Sequence, residues 1–505
     1  MGVCNGPARF LGTAVVIVMR LIQLQSLLFL TGCIVAAEGG LMLLPALADI
    51  DAHQKTWSVF ATSALVTSFV GMSVALAMRG SRIDLNARQT FLLTSMIWVS
   101  ATIFGALPFF LWRPEAGIAN AVFETASGLT TTGSTVLTGL DQLPRGILLW
   151  RALLQFFGGV GIVVLAAALL PVLRVGGMQL FKSESSDRSQ KVFAHMRHIA
   201  ISIIIVYFTL VALCMIAYDA AGMGLFDALA HAMATVSTGG FSTSDASLAN
   251  WPDASIQWIC ILFMLLGALP FPLYVRFAQG KPDALWRDPQ VHFFLVLIAF
   301  ISAMLIVLQT AAQSEQHLSD TIRHSVFATV SILSTTGFAT QDYQLWGPAA
   351  AAIILVITFI GGCTGSTAGG LKIFRLQMLL KILRQQMDTL LYPHGHFPII
   401  HHGRALTGSN EILLAVVTFT IAYFGLVTVA GTLLAATGLD LVSSFTAAAT
   451  AVANVGPGLG PIVGPAGNFS SLGDFEKFVL SAAMIMGRLE IMTVLVVFSP
   501  YMWRD

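Results

Sequence analysis

The sequence predicts an all-α membrane protein with four pseudo-symmetric helix–pore loop–helix repeats around one central pore, preceded by an N-terminal helix pair. Three observations predict it. First, 56% of the 505 residues are hydrophobic and only 10% are charged, with a mean hydropathy of +0.81, so most of the surface cannot face water. Second, apolar stretches near the ~20 residues that a bilayer crossing needs recur along the whole chain. Third, four segments rich in Gly, Ser and Thr interrupt that pattern at intervals of about 100 residues.

The apolar stretches run over 21–47, 57–78, 90–112, 148–173, 199–217, 256–275, 293–308, 412–436 and 478–500. Another begins at Pro348 and is interrupted, giving about ten crossings. The expected divisions are a helix pair over 1–80 and repeats over 81–175, 176–280, 281–405 and 406–505. Arg9 followed by an apolar run resembles a leader peptide, but Arg20 leads straight into a full-length span with no clear small-residue cleavage site, so the N-terminus reads as uncleaved. Cys4, Cys33, Cys214, Cys260 and Cys363 are scattered without metal-ligand spacing and read as packing residues.

A formal net charge of +1 gives no reason to expect nucleic acid or an acidic substrate as partner. Its distribution is informative. Arg79, Arg82 and Arg88 share one connection, and Arg174, Lys182, Arg188, Lys191 and Arg197 share another. Arg276, Lys281 and Arg287, then Lys372, Arg375, Lys381, Arg384 and Arg404, follow on the same side. Alternate connections carry Asp141, Asp245, Asp253, Asp320, Asp342 and Asp474, so the basic loops are expected to be cytoplasmic. Arg113, Arg145, Arg151 and Arg323 run against the bias.

The four interruptions align on the tripeptides Thr131-Thr132-Gly133, Thr238-Gly239-Gly240, Thr335-Thr336-Gly337 and Asn454-Val455-Gly456. A dehydrated cation needs oxygen ligands converging from all sides, and backbone carbonyls supply them where the chain adopts conformations that glycine tolerates. Irregular backbone at membrane depth is permitted only when buried in protein or lining a wet cavity. Each segment therefore reads as a re-entrant loop, and four around an axis complete a ring. The short helix before each loop turns the negative end of its dipole toward that axis, which favours cations. Two roles stay open for the hydroxyls of Thr131, Thr238 and Thr335: extra ligands, or bonds to local backbone.

Gly361, Gly362, Cys363, Thr364, Gly365, Ser366, Thr367, Ala368, Gly369 and Gly370 interrupt the second span of the third repeat, where five glycines make a continuous helix untenable. Unwound backbone there reads as a flap beneath the filter. Arg488 falls near the middle of the last stretch, where facing lipid costs at least ~3 kcal/mol, so it is expected to face the pore. Glu490 is expected on a different helix face and not as its simple partner. Glu124 and His231 occupy equivalent places in the first two short helices and read as anchors of those helices through hydrogen bonds to neighbouring spans, with tuning of the pore field as the alternative. His394, His396, His401 and His402 read as loop residues. No Walker loop or dinucleotide fingerprint is present, and neither enzymatic activity nor a covalently bound cofactor is expected.

At these motifs the sequence resembles the Trk/Ktr/HKT superfamily of potassium transporters, and closely its bacterial TrkH/TrkG branch. The likeness covers nearly the whole chain: the four tripeptide segments, the run 361–372, Gly176-Gly-Met-Gln-Leu180 and Gly487-Arg-Leu-Glu490. The fourth tripeptide departs most from the others. The resemblance implies K⁺ as transported ligand, a pore within each protomer of a homodimer, and an intramembrane gating loop at 361–370. It also implies an inner-membrane location and a TrkA-type cytoplasmic subunit with nucleotide-binding domains, with Arg375, Lys381 and Arg384 as plausible contacts. Uptake driven by membrane potential needs no fuel, since ~100 mV supplies about 2.3 kcal/mol per monovalent cation. A K⁺/H⁺ or K⁺/Na⁺ symporter, and a non-conducting assembly or sensor subunit, remain open alternatives.

Overall fold

The computed structural model describes residues 7–80, 86–168, 189–312, 317–395, 397–401, 404–405 and 409–503. Arg82, the basic segment around Arg174, Lys182 and Arg188, the Gly176–Leu180 motif, His396 and His402 lie outside the described residues. The regular elements of the described chain are helices, apart from two two-residue strands, Ile400–His401 and Arg404–Ala405, paired antiparallel. It divides into two compact units, one of Met1–Pro114, Pro144–Gly146 and Thr493–Asp505, the other of Glu115–Leu143 and Ile147–Met492.

In the first unit the helices Pro7–Leu41 and Trp57–Ala77 pack along each other. Gly32 and Gly71 face backbone atoms of the opposite helix so closely that a Cβ on either would fall within 3.0 Å of them. Small residues at a membrane helix crossing allow that approach.

The second unit is built on four short helices, Ile118–Leu129, Leu225–Val236, Leu318–Leu333 and Leu441–Ala453. Each is followed by a trailing helix: Arg145–Ala168, Ala254–Ala268, Pro348–Thr358 and Asp474–Arg488. The trailing helix of the second repeat packs on the third short helix, that of the third on the fourth, and that of the fourth on the first. The arrangement is cyclic. Asp440 caps the fourth short helix, its Oδ2 accepting from Ser443 N at 2.9 Å, and that bond holds its carboxyl below the usual range.

Among the described residues, seven helices are long and apolar enough to span a membrane, with two further bent pairs. Two expected continuous spans prove broken. The stretch 256–275 is a helix ending at Ala268 and a second, Phe271–Ala278, at 93° to it. Pro270 and Pro272 lack the N–H groups that a continuing helix would use. The stretch 478–500 ends its helix at Arg488, with Glu490 left-handed at φ 60°, and restarts at Met492. Arg488 is thus a helix-terminal residue, not a mid-span one.

Trailing helices touch the short helices through glycines. A Cβ on Gly158, Gly267 or Gly487 would come within 3.0 Å of the carbonyl of Leu129, Val236 or Val452, respectively. These three carbonyls occupy the same position in three repeats. Gly158→Ala is expected to destabilise the protein by about 1–3 kcal/mol, as overpacking does, read as a lower unfolding temperature in detergent. Gly161→Ala, with open space at its Cβ position, is the neutral control.

Candidate functional site: a fourfold backbone ring and the loop 361–370

Each short helix ends in the same way. The first tripeptide residue is left-handed in every copy: Thr131 at φ 53°, Thr238 at 53°, Thr335 at 58° and Asn454 at 57°. Its N–H reaches back to the carbonyl of Gly128, Thr235, Ile332 or Ala451, and the next N–H to that of Ser127, Ala234, Ser331 or Thr450. That bond pair is a Schellman cap. Asn tolerates the left-handed region, whereas a β-branched Thr is an outlier there, at a strain of order 1–3 kcal/mol each. Sequence reasoning placed the need for unusual backbone on the glycines and missed these threonines. Its signal is a Thr where a helix C-terminus ordinarily takes Gly.

The third residues then meet in a closed cycle. Gly133, Gly240, Gly337 and Gly456 all have positive φ, from 78° to 109°. A Cβ on Gly133 would fall within 3.0 Å of the Gly239 carbonyl, one on Gly240 of the Thr336 carbonyl, one on Gly337 of the Val455 carbonyl and one on Gly456 of the Thr132 carbonyl. All four glycines line one cavity of about 300 Å³. The cycle is stitched by Ser134 Oγ donating to Gly456 O at 2.8 Å and Asn454 Nδ2 donating to Thr132 Oγ1 at 3.0 Å. From the first trailing helix, Gln155 Nε2 donates to Gly239 O at 2.5 Å, and Gln155 Oε1 accepts from Phe241 N at 3.1 Å.

Glu124 and His231 hold the limbs that follow the tripeptides. Glu124, fully buried, accepts from Thr135 Oγ1 at 2.9 Å and Val136 N at 2.9 Å, and pairs with Arg151 Nε at 2.7 Å. Arg151 continues to Ser242 O at 2.7 Å and lies over the Phe241 ring. His231 Nε2 bonds Ser242 Oγ at 2.9 Å. The expected anchoring is what these bonds do, though the main partners lie in the loops themselves. Glu124→Ala strands Arg151 in the interior, an expected loss of about 3–5 kcal/mol; Glu124→Ala with Arg151→Met is expected to recover part of the unfolding temperature.

Beneath the ring, the segment 361–370 forms a loop closed at its neck by Gly361 N to Leu371 O at 2.9 Å and Leu371 N to Phe359 O at 3.0 Å. It fills the break in the second trailing helix. Cys363 N donates to Ala268 O, Thr367 N to Gly267 O, and Phe271 N to Gly365 O, so groups freed by Pro270 find partners in the loop. Thr364 N donates to Gln290 Oε1 at 3.1 Å. Ser366 Oγ bonds Cys363 O within the loop, and Gly362 O accepts from Ile373 N. Gly370 is left-handed at φ 62°.

The loop bonds directly to the bases of the tripeptides. Thr367 Oγ1 lies 3.2 Å from Thr238 Oγ1 and bonds Gly267 O at 2.9 Å, Gly369 N donates to Thr335 Oγ1 at 2.7 Å, and Gly369 sits against Ala453 and Asn454. Two of the three left-handed threonine hydroxyls therefore engage the loop, while the buried Thr131 Oγ1 has no partner among the described residues. Arg488, 3% exposed, donates from Nη1 to Thr367 O at 2.7 Å. Lys372 Nζ bonds Ala368 O.

Glu490 pairs with Arg375, whose guanidinium also lies 3.6 Å from the centre of the Phe419 ring. Arg375 is 3% exposed, which corrects its reading as an outward docking contact: a buried cation is kept only where groups such as a carboxylate and a ring face offset its desolvation. Lys381 is half-buried and Arg384 exposed. The four described cysteines are free, and no group of three His, Cys, Asp or Glu is placed to hold a metal among the described residues.

Residues 56–504 match the profile of a family described as "TrkH: Cation transport protein". The chain is 43% identical over 426 residues to the Trk system potassium uptake protein TrkI of Halomonas elongata, covering 84% of this chain and 85% of that one. It is 36% identical to the Trk system potassium uptake protein TrkH of Escherichia coli K12 over 94% of this chain and 98% of the relative. The crystal structure of the potassium transporter TrkH from Vibrio parahaemolyticus superposes with a TM-score of 0.88 at 34% identity, covering 95% of this chain and all of that one.

Proposed function

Since the chain belongs to the TrkH family of cation transport proteins, we propose that it carries K⁺ inward across the bacterial inner membrane through one gated, cation-selective pore. The observation that carries this reading is the closed cycle of Gly133, Gly240, Gly337 and Gly456 with the carbonyls of Gly239, Thr336, Val455 and Thr132. Left-handed first residues and positive φ at the third reverse alternate peptide planes, so carbonyls that would alternate sides in a strand face one axis. Stacked rings of such oxygens replace a cation's hydration shell. The short helices add the negative ends of their dipoles at the same place.

The loop 361–370 and Arg488 are the gate. Backbone and hydroxyl bonds hold the loop across the pore below the ring, and a guanidinium there opposes a passing cation. Membrane potential drives the flux, and a TrkA-type cytoplasmic subunit with nucleotide-binding domains releases the loop. Lys381 and Arg384 are the docking contacts, on a homodimer with one pore in each protomer. The test is ⁸⁶Rb⁺ uptake by liposomes holding the purified chain and its cytoplasmic partner, with equal pH and Na⁺ on both sides and a negative-inside potential. Uptake far above empty liposomes is expected. Uptake that appears only with a proton or sodium gradient establishes obligatory coupling instead, and none under any gradient establishes a non-conducting subunit.

A further inference from the structure

Against the loop lies a second cavity of about 40 Å³, lined by Thr364, Lys372, Arg375, Arg488 and Glu490 among others and by none of the four tripeptides. Three cationic side chains face one carboxylate. Glu490 is already committed to Arg375, and among the described residues Lys372 Nζ bonds only a carbonyl oxygen, that of Ala368. Both guanidinium groups keep buried donors without a partner among the described residues: Arg488 Nε and Nη2, and Arg375 Nη1. Each of these arginines is 3% exposed. Unsatisfied charged donors in the interior are costly, and excess positive charge in a low-dielectric cavity is costlier still.

We propose that this cavity binds one small monovalent anion of the halide class, held between Arg488 and Arg375 with Lys372 as the third cation. The volume admits a single ion about the size of a water molecule and excludes phosphate esters and nucleotides. Charge selects the occupant: a water molecule satisfies donors but leaves the cationic excess, whereas an anion answers both. Arg488 also holds the loop through Thr367 O, so the anion lies one side chain away from the gate and screens the charge that a cation leaving the pore would meet.

The test is direct binding, so it stands or falls independently of K⁺ transport. The purified full chain is crystallised with bromide as the sole halide, and anomalous scattering locates the ion. In parallel, ³⁵Cl line broadening reports halide binding to the protein in detergent, with bromide as competitor and gluconate as the anion too large to enter. The expected result is a bromide peak beside the Arg488 guanidinium, with broadening reversed by bromide and not by gluconate. Arg488→Gln is expected to weaken halide binding about tenfold or more, the scale of one lost charge-assisted hydrogen bond. Lys372→Met, which leaves the Arg488 bond to the loop in place, is expected to weaken it as well. A cavity holding only water in bromide crystals overturns the proposal, as does broadening unchanged in both variants.

Discussion

Gly240→Ser is expected to cut K⁺ over Na⁺ discrimination at least about tenfold, equivalent to ~1.4 kcal/mol, while the protein still inserts and purifies. The expectation rests on what stands beside the missing side chain. Gly240 has φ 78°, and a Cβ there would press on the backbone carbonyl of Thr336, not on a side chain able to rotate away. The only relief is movement of the ring. Carbonyl ligands bind a dehydrated cation through distance and number, so even a few tenths of an ångström at one of four positions favours the wrong ion. Gly222→Ser is the matched control: it too has a positive φ, 97°, but open space at the Cβ position. It carries the backbone strain, of order 1–3 kcal/mol, without the collision. Measured ⁸⁶Rb⁺ and ²²Na⁺ uptake ratios that are equal in the two variants would remove the ring from the mechanism.

Arg488→Ala is expected to have the opposite sign, raising basal ⁸⁶Rb⁺ flux of the chain alone by about tenfold or more. Two effects of one side chain add here. A guanidinium ~5 Å from a passing cation, at an effective dielectric of ~20, opposes it by about 3 kcal/mol. Its Nη1 also holds the loop through Thr367 O. Thr367→Val separates the two, because it keeps volume and that carbonyl bond while losing the hydroxyl bonds to Val236 O, Gly267 O and Thr238 Oγ1. A smaller rise is expected there, on the scale of the ~1 kcal/mol a net hydrogen bond contributes. Basal flux unaltered in both variants would show that neither the loop nor the arginine closes the pathway.

The parts of this site legible in sequence were those with a compositional signature. Four hydroxyl and glycine runs at a common interval, and a glycine cluster inside an apolar stretch, announce backbone that is neither helix nor turn. Broken helices were less legible. The stretch around Pro270 is uniformly apolar, so hydropathy reads through it, although the two prolines carried the physical reason for a bend. Gly158 and Gly267 were passed over because a helical glycine is ambiguous until the carbonyl it faces is known. The pairing of Glu490 with Arg375 joins helices far apart in the chain and has no local signal. Arg375 itself was misread because positive charge after a span predicts a cytoplasmic side chain, and only the fold shows it turned inward.

The cyclic order of the four repeats has a consequence for biosynthesis. The bonds from Ser134 to Gly456 and from Asn454 to Thr132 each join residues 322 positions apart. The first short helix leans on the trailing helix Asp474–Arg488, which leaves the ribosome more than three hundred residues after it. A nascent chain lacking its fourth repeat is therefore an open horseshoe with polar backbone exposed at its mouth. Contacts of such long range form late, so the first three repeats must wait in the bilayer before the first of them acquires its partner from the fourth.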